Sequence, residues 1–181
     1  MKYVAFFRGI NVGGKHIVKM AALGQLFSDL GLIDVKTYIQ SGNVIFSSDL
    51  EQHLLIPLIE NAFEARFEFS SAVVIRSDAE IRSLVDALPF EASEIEQAEN
   101  ENPDVEHVYI YLSQSAIDSE RVDRLCVSYD GKDRIKILER EIYLLCFQSI
   151  RDSKLAALLT KLPQPLTFRN LRTLKKISSI I

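Results

Sequence analysis

The chain has 181 residues, of which 48% are hydrophobic and 25% are charged, and its formal net charge at pH 7 is −4. The composition excludes a wholly disordered chain, and the negative charge argues against a basic nucleic-acid coat protein. A chain of this length can bury a hydrophobic core that is stable without disulfide bonds or a structural metal. The two cysteines, Cys126 and Cys146, form no C-x-x-C pair, and no apolar stretch approaches the roughly 18 residues of a membrane span. Because no secretory signal is visible, we predict a cytoplasmic protein without membrane association.

The first half of the chain predicts the element order βαββαβ. Short apolar runs bounded by glycine or polar turns indicate the strands, and apolar residues at helical spacing indicate the helices. Pro57 lies inside the second helical pattern and predicts either a kink or a later start of that helix. This order is the split βαβ arrangement of ferredoxin-like folds. The predicted elements are strands at 2–8, 35–40, 44–47 and 72–76, and helices at 20–30 and 51–67.

A polar middle segment follows these elements. Ser77-Asp78-Ala79-Glu80 has the sequence of a capping box, so we predict a further helix that ends at Pro89. Residues 91–106 contain seven acidic side chains and no basic one. This segment lacks periodicity and is interpreted as an acidic linker or exposed loop. We therefore predict a ferredoxin-like lobe with a trailing helix at 1–90, the acidic segment at 91–106, and a second lobe at 107–181.

The second lobe repeats the architecture of the first on a smaller scale, without a repeat of residues. Its order is βαββα, with no clear final strand, and a basic helix closes the chain. The predicted elements are strands at 108–112, 134–138 and 142–147, helices at 115–125 and 153–162, and the closing helix from 168 to about 178. The fold class predicted for the whole chain is therefore α+β.

The segment Arg8-Gly9-Ile10-Asn11-Val12-Gly13-Gly14-Lys15 is the most distinctive local feature. Its glycines allow backbone N–H groups to turn inward into a nest that attracts anions, and Arg8 and Lys15 add positive charge at both ends. The spacing is not that of a P-loop, because His16 stands where Ser or Thr is required. Two interpretations stay open, an anion site formed by Arg8, Asn11, Gly13, Gly14 and Lys15, or a glycine-rich connection with charged edges.

A second candidate is the polar turn Gln40-Ser41-Gly42-Asn43 between two predicted strands. Short amides and hydroxyls in turns usually satisfy the local backbone. The functional alternative is that Gln40, Ser41 and Asn43 donate hydrogen bonds to a ligand at one end of the sheet.

The third candidate is the basic end of the chain. Residues 151–176 contain seven basic side chains and one acid. In the predicted closing helix, Arg169, Arg172 and Lys176 share one face and Lys175 lies beside it. This face could bind phosphates, an acidic partner or the acidic segment of the same chain, and surface pairs of the last kind stabilise by about 0–1 kcal/mol each.

No catalytic constellation is recognisable. The histidines at 16, 53 and 107 are far apart in sequence, so we predict no metal site, and neither G-x-S-x-G nor G-x-G-x-x-G occurs. We predict no cofactor. Whether the protein is an enzyme stays open, because acid and base groups can converge from distant positions in a fold.

Several segments resemble the signature of a bacterial family catalogued as domain of unknown function 1697. The resemblance spans nearly the whole chain, and it implies an α+β fold with a ferredoxin-like N-terminal part but no established activity. Where the family usually has Arg-Asn-Trp-Asn-Thr near the end, this chain has Leu171 and Arg172 in place of Trp and the second Asn. An activity that depends on those two residues would be altered here. The segments that resemble the signature are Phe7–Lys15, Lys19-Met20, Tyr38–Phe46, Ser153-Lys154-Leu155 and Thr167-Phe168-Arg169-Asn170.

Three functions stay open at this point. The first is the binding of a phosphorylated or otherwise anionic small molecule at the glycine-rich loop and the polar turn, with Arg169 and Asn170 as further candidate contacts. This function requires that the loop and the turn lie at the same edge of the sheet. The second is nucleic-acid binding by Arg169, Arg172, Lys175 and Lys176, which the acidic net charge disfavours. The third is assembly through an exposed strand edge. The oligomeric state is not determined by the sequence.

Overall fold

The computed structural model describes residues 1–181 and divides the chain into two compact units. Unit 1 comprises Met1–Leu84 and Lys176–Ile181, and unit 2 comprises Val85–Lys175. Each unit contains one four-stranded sheet in which all neighbours are antiparallel, and seven helices accompany the two sheets. The predicted α+β class is confirmed. None of the helices combines the length and the apolar character that crossing a bilayer requires.

The sheet of unit 1 has the strand order β2-β3-β1-β4, so β1 is central. All six elements predicted for this part of the chain are present, with ends shifted by one or two residues. The ferredoxin-like assignment of this unit stays a prediction. The elements are β1 (Lys2–Phe7), α1 (Met20–Asp29), β2 (Ile33–Tyr38), β3 (Asn43–Ser47), α2 (Gln52–Phe67), β4 (Val73–Ser77) and α3 (Asp78–Asp86).

The core of unit 1 lies between the sheet and the helices α1 and α2. Alternate residues of β1 point to this side, and the Phe7 ring centroid is 4.9 Å from that of Phe63 and 6.1 Å from that of Phe27. All three rings are buried, and each contributes roughly 1.5–3 kcal/mol by leaving water. α2 begins well before Pro57, so the predicted later start is wrong, and the helix accommodates a proline that donates no backbone hydrogen bond.

The predicted capping box at the start of α3 is confirmed. The Ser77 backbone N–H donates to Glu80 Oε2 at 2.7 Å, and the Glu80 N–H donates back to Ser77 Oγ at 3.3 Å. The reciprocal bonds satisfy two donors that a helix start would otherwise leave unpaired.

The interpretation of residues 91–106 as a linker or exposed loop is wrong for its first part. α4 spans Ala92–Glu101, and it begins with a reciprocal cap between Glu91 and Glu94. Capping boxes usually start with Ser or Thr, so a glutamate in that position gave no recognisable signal. Ala98 is the one fully buried residue of this helix, which explains why no apolar stripe was visible.

Unit 2 has the strand order β6-β7-β5-β8, which matches the order in unit 1 position by position. The final strand β8, absent from the prediction, pairs with the central strand β5, and the closing helix starts at Leu171 instead of 168. β8 escaped recognition because it has four residues and its buried positions are Thr167 and Arg169, so it shows no apolar run. The remaining elements are β5 (Val108–Leu112), α5 (Ser119–Cys126), β6 (Arg134–Leu138), β7 (Glu141–Leu145), α6 (Lys154–Leu159), β8 (Thr167–Asn170) and α7 (Leu171–Ile180).

The two units also share a residue pattern that the sequence did not reveal. Each final strand carries a buried arginine, Arg76 or Arg169, that donates from Nη1 to the carbonyl oxygen of the preceding residue, at 2.9 and 2.7 Å respectively. The next residue, Ser77 or Asn170, caps the helix that follows. In both units the arginine lies opposite an apolar residue of the central strand. In the final strand of each sheet the two units therefore share a residue as well as the architecture. A single arginine is too short a pattern to be detected in the sequence.

A pH-dependent loss of stability is expected from Cys146 in the core of unit 2. Burial, with a smaller contribution from the charge of Asp133, raises the pKa of its thiol to about 12, against an opposing hydrogen bond with Ser153. The folded state therefore holds the thiol proton more tightly than the unfolded chain does. This difference contributes fully to the free energy of unfolding below about pH 9, and the contribution is lost as the pH rises towards 12. At about pH 10.5 the loss is about 2 kcal/mol.

Urea unfolding of the wild type and of Cys146→Ala between about pH 8 and 11 measures this contribution. The variant lacks the thiol, so its free energy of unfolding should fall less steeply with pH than that of the wild type. Parallel pH dependences of the two proteins would contradict the assignment.

Candidate functional site

The glycine-rich loop between β1 and α1 folds into a tight hairpin. The Asn11 N–H donates to the His16 carbonyl oxygen and the Lys15 N–H to the Val12 carbonyl oxygen, both at 3.1 Å. Gly13 and Gly14 occupy the turn with φ angles of 59° and 74°. Two consecutive positive φ angles are typical of a two-residue hairpin turn, and this turn accounts for the glycine pair.

The Asn11 side chain connects this loop to the polar turn. Its Nδ2 donates to the carbonyl oxygens of Val18, at 3.0 Å, and of Gln40, at 2.8 Å, and its Oδ1 accepts from the Val18 N–H at 2.8 Å. Both N–H groups of the amide and one acceptor position of its oxygen are thus used within the protein. Asn11 therefore braces the loop against the turn, and its role as a ligand contact stays a prediction.

The loop and the polar turn lie at the same edge of the sheet. β1 pairs with β3 in antiparallel orientation, so the end of β1 and the start of β3 are neighbours. The Phe7 N–H donates to the Gly42 carbonyl oxygen at 2.9 Å, and Gly42 packs against the Ile10 side chain. The loop and the turn therefore share the edge that a joint binding site requires.

The polar side chains of the turn divide into an exposed and a buried group. Gln40 is exposed, whereas Asn43 is fully buried and its Nδ2 donates to the Tyr38 carbonyl oxygen and to Ser41 Oγ, both at 3.0 Å. Asn43 therefore holds the turn in shape, and Ser41 is its partner. Of the residues predicted for the loop and turn, the side chains of Arg8, Lys15 and Gln40 face solvent.

The segment before β4 forms the other flank of this edge. The Arg8 N–H donates to the Ala72 carbonyl oxygen at 3.0 Å, and Ser71 Oγ donates to the Arg8 carbonyl oxygen at 2.8 Å. Two residues before Ser71, the ring of Phe69 stacks on that of His16 with 4.6 Å between centroids and 14° between planes. Sequence reasoning missed this pair because nothing in the local pattern links two positions so far apart.

Three of the six residues other than glycine that have positive φ angles lie at this edge. Asn11, His16 and Ile39 all have positive φ angles, of 55°, 51° and 49°. Such a conformation costs on the order of 1–3 kcal/mol for a residue other than glycine, and it is unusual for a β-branched residue such as Ile39. Strain of this kind is typical of functional sites.

The basic end of the chain has a different role from the one predicted. Arg169 lies in β8, not on the closing helix, and it donates to Thr167 Oγ1 at 2.9 Å; burial lowers its pKa to about 10. Asn170 Oδ1 accepts from the Thr173 N–H at 2.9 Å and caps α7. The predicted exposed basic face is therefore wrong for Arg169, and both residues have structural roles in unit 2.

The predicted compensation of charge within the chain is confirmed for Arg172. Its Nε lies 2.9 Å from Oε1 of Glu106, a member of the acidic segment. Glu101, in the same segment, pairs with Lys132 at 2.7 Å. In both pairs the basic side chain is largely exposed, so each pair contributes little to stability.

The structure shows no metal-binding cluster, and a pocket in unit 2 lies away from the loop and the turn. No cluster of three or more His, Cys, Asp or Glu side chains could hold a metal ion. His107 is buried, with Nδ1 2.7 Å from the Cys146 carbonyl oxygen and Nε2 3.0 Å from that of Asn102. The cavity of about 420 Å³ in unit 2 lies among residues such as Tyr129 and Phe147 and includes none of the predicted site residues.

Comparison with known proteins agrees with the resemblance seen in the sequence. The model of the family described as "Protein of unknown function (DUF1697)" matches residues 1–143. The chain belongs to this family. The loop and the turn lie inside the matched range of DUF1697, whereas Arg169, Asn170 and the altered positions Leu171 and Arg172 lie beyond it.

A solved structure similar to this DUF1697 chain is that of a conserved bacterial protein, SP0830, from Streptococcus pneumoniae. The two chains are 28% identical, the match covers 99% of this chain and 97% of the other, and the TM-score is 0.75. No curated protein matches the chain. The comparisons therefore establish the family and the fold, and the function must be inferred from the site.

Removal of the Asn11 amide is expected to destabilise unit 1 and to loosen the loop. Asn11→Ala deletes three hydrogen bonds and leaves partly buried backbone groups without partners, so we expect a loss of about 1–3 kcal/mol in the free energy of unfolding. Thermal or urea unfolding measures this loss. The matched control is Asn61→Ala, an exposed position on α2, which should change stability by less than about 0.5 kcal/mol. Equal stability of the two variants would contradict the bracing role of Asn11.

Proposed function

We propose that this member of the DUF1697 family binds a phosphorylated or otherwise anionic small molecule at the edge formed by the glycine-rich loop and the polar turn. The observation that carries the proposal is the shared edge itself, where Arg8, Lys15 and Gln40 are exposed around the turn of Gly13 and Gly14. Arginine can contact a phosphate or carboxylate through two parallel hydrogen bonds, and lysine adds a mobile positive charge.

The local charge supports an anion. Residues 8–19 contain three cationic side chains, Arg8, Lys15 and Lys19, and no carboxylate, and residues 39–43 contain no charged side chain. The chain as a whole carries a formal charge of −4. A cluster of exposed cations in an acidic protein attracts anions from solution, and the attraction weakens as salt increases.

The rigid support of the edge favours binding as well. The N–H and the carbonyl oxygen of Arg8 are bound by Ala72 and Ser71 respectively, and Asn11 connects the loop to the turn. A preformed site avoids part of the entropy cost of ordering loops when a ligand binds.

The alternative of nucleic-acid binding by the basic end has less support. Of the four residues predicted for this role, Arg169 is buried and Arg172 is paired with Glu106, so Lys175 and Lys176 remain. The cytoplasmic location inferred from the sequence stays a prediction, as does an assembly role for the exposed strands.

Thermal unfolding in the presence of inorganic phosphate, pyrophosphate, sugar phosphates and dicarboxylates tests the proposal. A ligand at 100 times its dissociation constant stabilises by about 2.7 kcal/mol, which is readily detected. We expect Arg8→Ala to weaken binding by about tenfold or more, since a charged hydrogen bond is lost. Arg82→Ala, an exposed arginine on α3, serves as the control and should bind as the wild type does. Absence of any stabilising anion, or equal binding by the two variants, would overturn the proposal.

A further inference from the structure

The stacked pair of His16 and Phe69 forms an aromatic surface beside the proposed anion site. Phe69 is half-buried, and its ring meets Phe63 of the core edge-on with 5.2 Å between centroids and 88° between planes. His16 is exposed and lies nearly parallel to the Phe69 ring. Phe69 therefore anchors the pair in the core of unit 1, while the imidazole stands at the surface.

Hydrogen bonds connect the segments that carry this pair to the segments that carry Arg8 and Lys15. The Phe69 segment is tied to Arg8 through Ser71 and Ala72, and the His16 carbonyl oxygen accepts from the Asn11 N–H. Lys15 directly precedes His16 and pairs with Val12 across the hairpin. The segments that carry Arg8, Lys15 and the stacked rings are therefore joined by hydrogen bonds and by sequence adjacency.

Neither the position nor the conformation of His16 is explained by the core. The residue is exposed and its φ of 51° is unfavourable for a side chain larger than glycine. Its neighbour Ile17 and Val12 of the same hairpin are 73% and 66% exposed, so the hairpin also presents apolar surface to solvent. Aromatic rings next to cations are the arrangement with which proteins hold nucleotides, since every base has a flat face that stacks.

We propose that the anionic ligand of this edge is a nucleotide unit, whose phosphate lies on Arg8 and Lys15 and whose base stacks on His16. The inference rests on the proposed function, because it names the class of anion that the site takes. A free mononucleotide and the phosphorylated end of a single strand share this chemistry. Stacking of one base on an aromatic side chain increases affinity by roughly fivefold to 150-fold.

Isothermal titration of the full chain tests the inference with inorganic phosphate, with AMP, GMP and UMP, with adenosine, and with a 5′-phosphorylated oligonucleotide. We expect at least one nucleotide to bind about fivefold or more tightly than phosphate. His16→Ala should reduce nucleotide affinity to that of phosphate and leave phosphate affinity unchanged, which also shows that the variant is folded. His16→Tyr retains a ring and should preserve nucleotide binding. His53→Ala, which removes an exposed histidine from α2, is the matched control and should bind as the wild type does.

The outcomes separate this inference from the proposed function. If phosphate binds, but nucleotides bind no more tightly and His16→Ala changes neither affinity, the nucleotide inference is overturned and the anion site stands. If neither phosphate nor nucleotide binds, the proposed function fails and the inference fails with it. Among supporting outcomes, tighter binding of the oligonucleotide than of AMP assigns the strand end as the ligand, and equal binding assigns the free nucleotide.

Discussion

Replacement of Gly42 by alanine is expected to lower the free energy of unfolding by about 2–4 kcal/mol. Gly42 has a φ of 74°, and a Cβ atom there would lie 2.6 Å from Ile10 Cδ1, 2.9 Å from Ile10 Cγ1 and 3.0 Å from Phe7 Cβ. Ile10 and Phe7 are both buried, so neither side chain can move aside without disturbing the core. Urea unfolding followed by circular dichroism measures the loss.

Gly31→Ala is the matched control for this substitution. Gly31 has a similar φ of 77°, but no atom lies within 4 Å of the Cβ position. The control therefore reports the cost of the left-handed backbone alone, roughly 1–2 kcal/mol. If both variants lose the same stability, the close approach of Gly42 to Ile10 contributes nothing, and the contact between loop and turn is weaker than the structure indicates.

Asp133→Ala is expected to destabilise unit 2 by about 2–4 kcal/mol. Asp133 is 3% exposed, its Oδ1 accepts from the Phe147 N–H at 2.9 Å, and its Oδ2 accepts from Ser153 Oγ at 2.6 Å. The carboxylate thus joins the residues that follow β7 to the residue that caps α6. Its removal leaves these donors without their partner and opens a small void.

Two variants separate the buried bonds of Asp133 from its charge. Asp130→Ala removes the same charge from an exposed position nearby and should change stability by less than about 0.5 kcal/mol. Asp133→Asn keeps the volume and one acceptor oxygen, so we expect a loss between those of the other two variants. Equal stability of Asp133→Ala and Asp130→Ala in urea would show that the buried carboxylate has no net stabilising role.

The elements of this protein could be derived from its sequence because they depend on local patterns. The strands at Val108–Leu112 and Arg134–Leu138 were predicted with their observed ends, and the cap of Ser77 and Glu80 is present as expected. Apolar periodicity, turn residues and caps act within a few positions of the chain, so they can be detected without knowledge of the fold. Where local patterns were weak, as in α4 and β8, the prediction failed.

The sequence alone also determined that Arg8, Lys15 and Gln40 belong to two distinctive polar segments of an α+β protein. Only the tertiary structure decided that these segments share an edge, because this depends on the pairing of β1 with β3 and β4. The same pairing placed Asn11 and Asn43 in supporting roles and brought Phe69 beside His16, and the pairing of β8 with β5 gave Arg169 its buried position. Contacts between residues far apart in the chain follow from the packing of whole elements, and no local pattern encodes them.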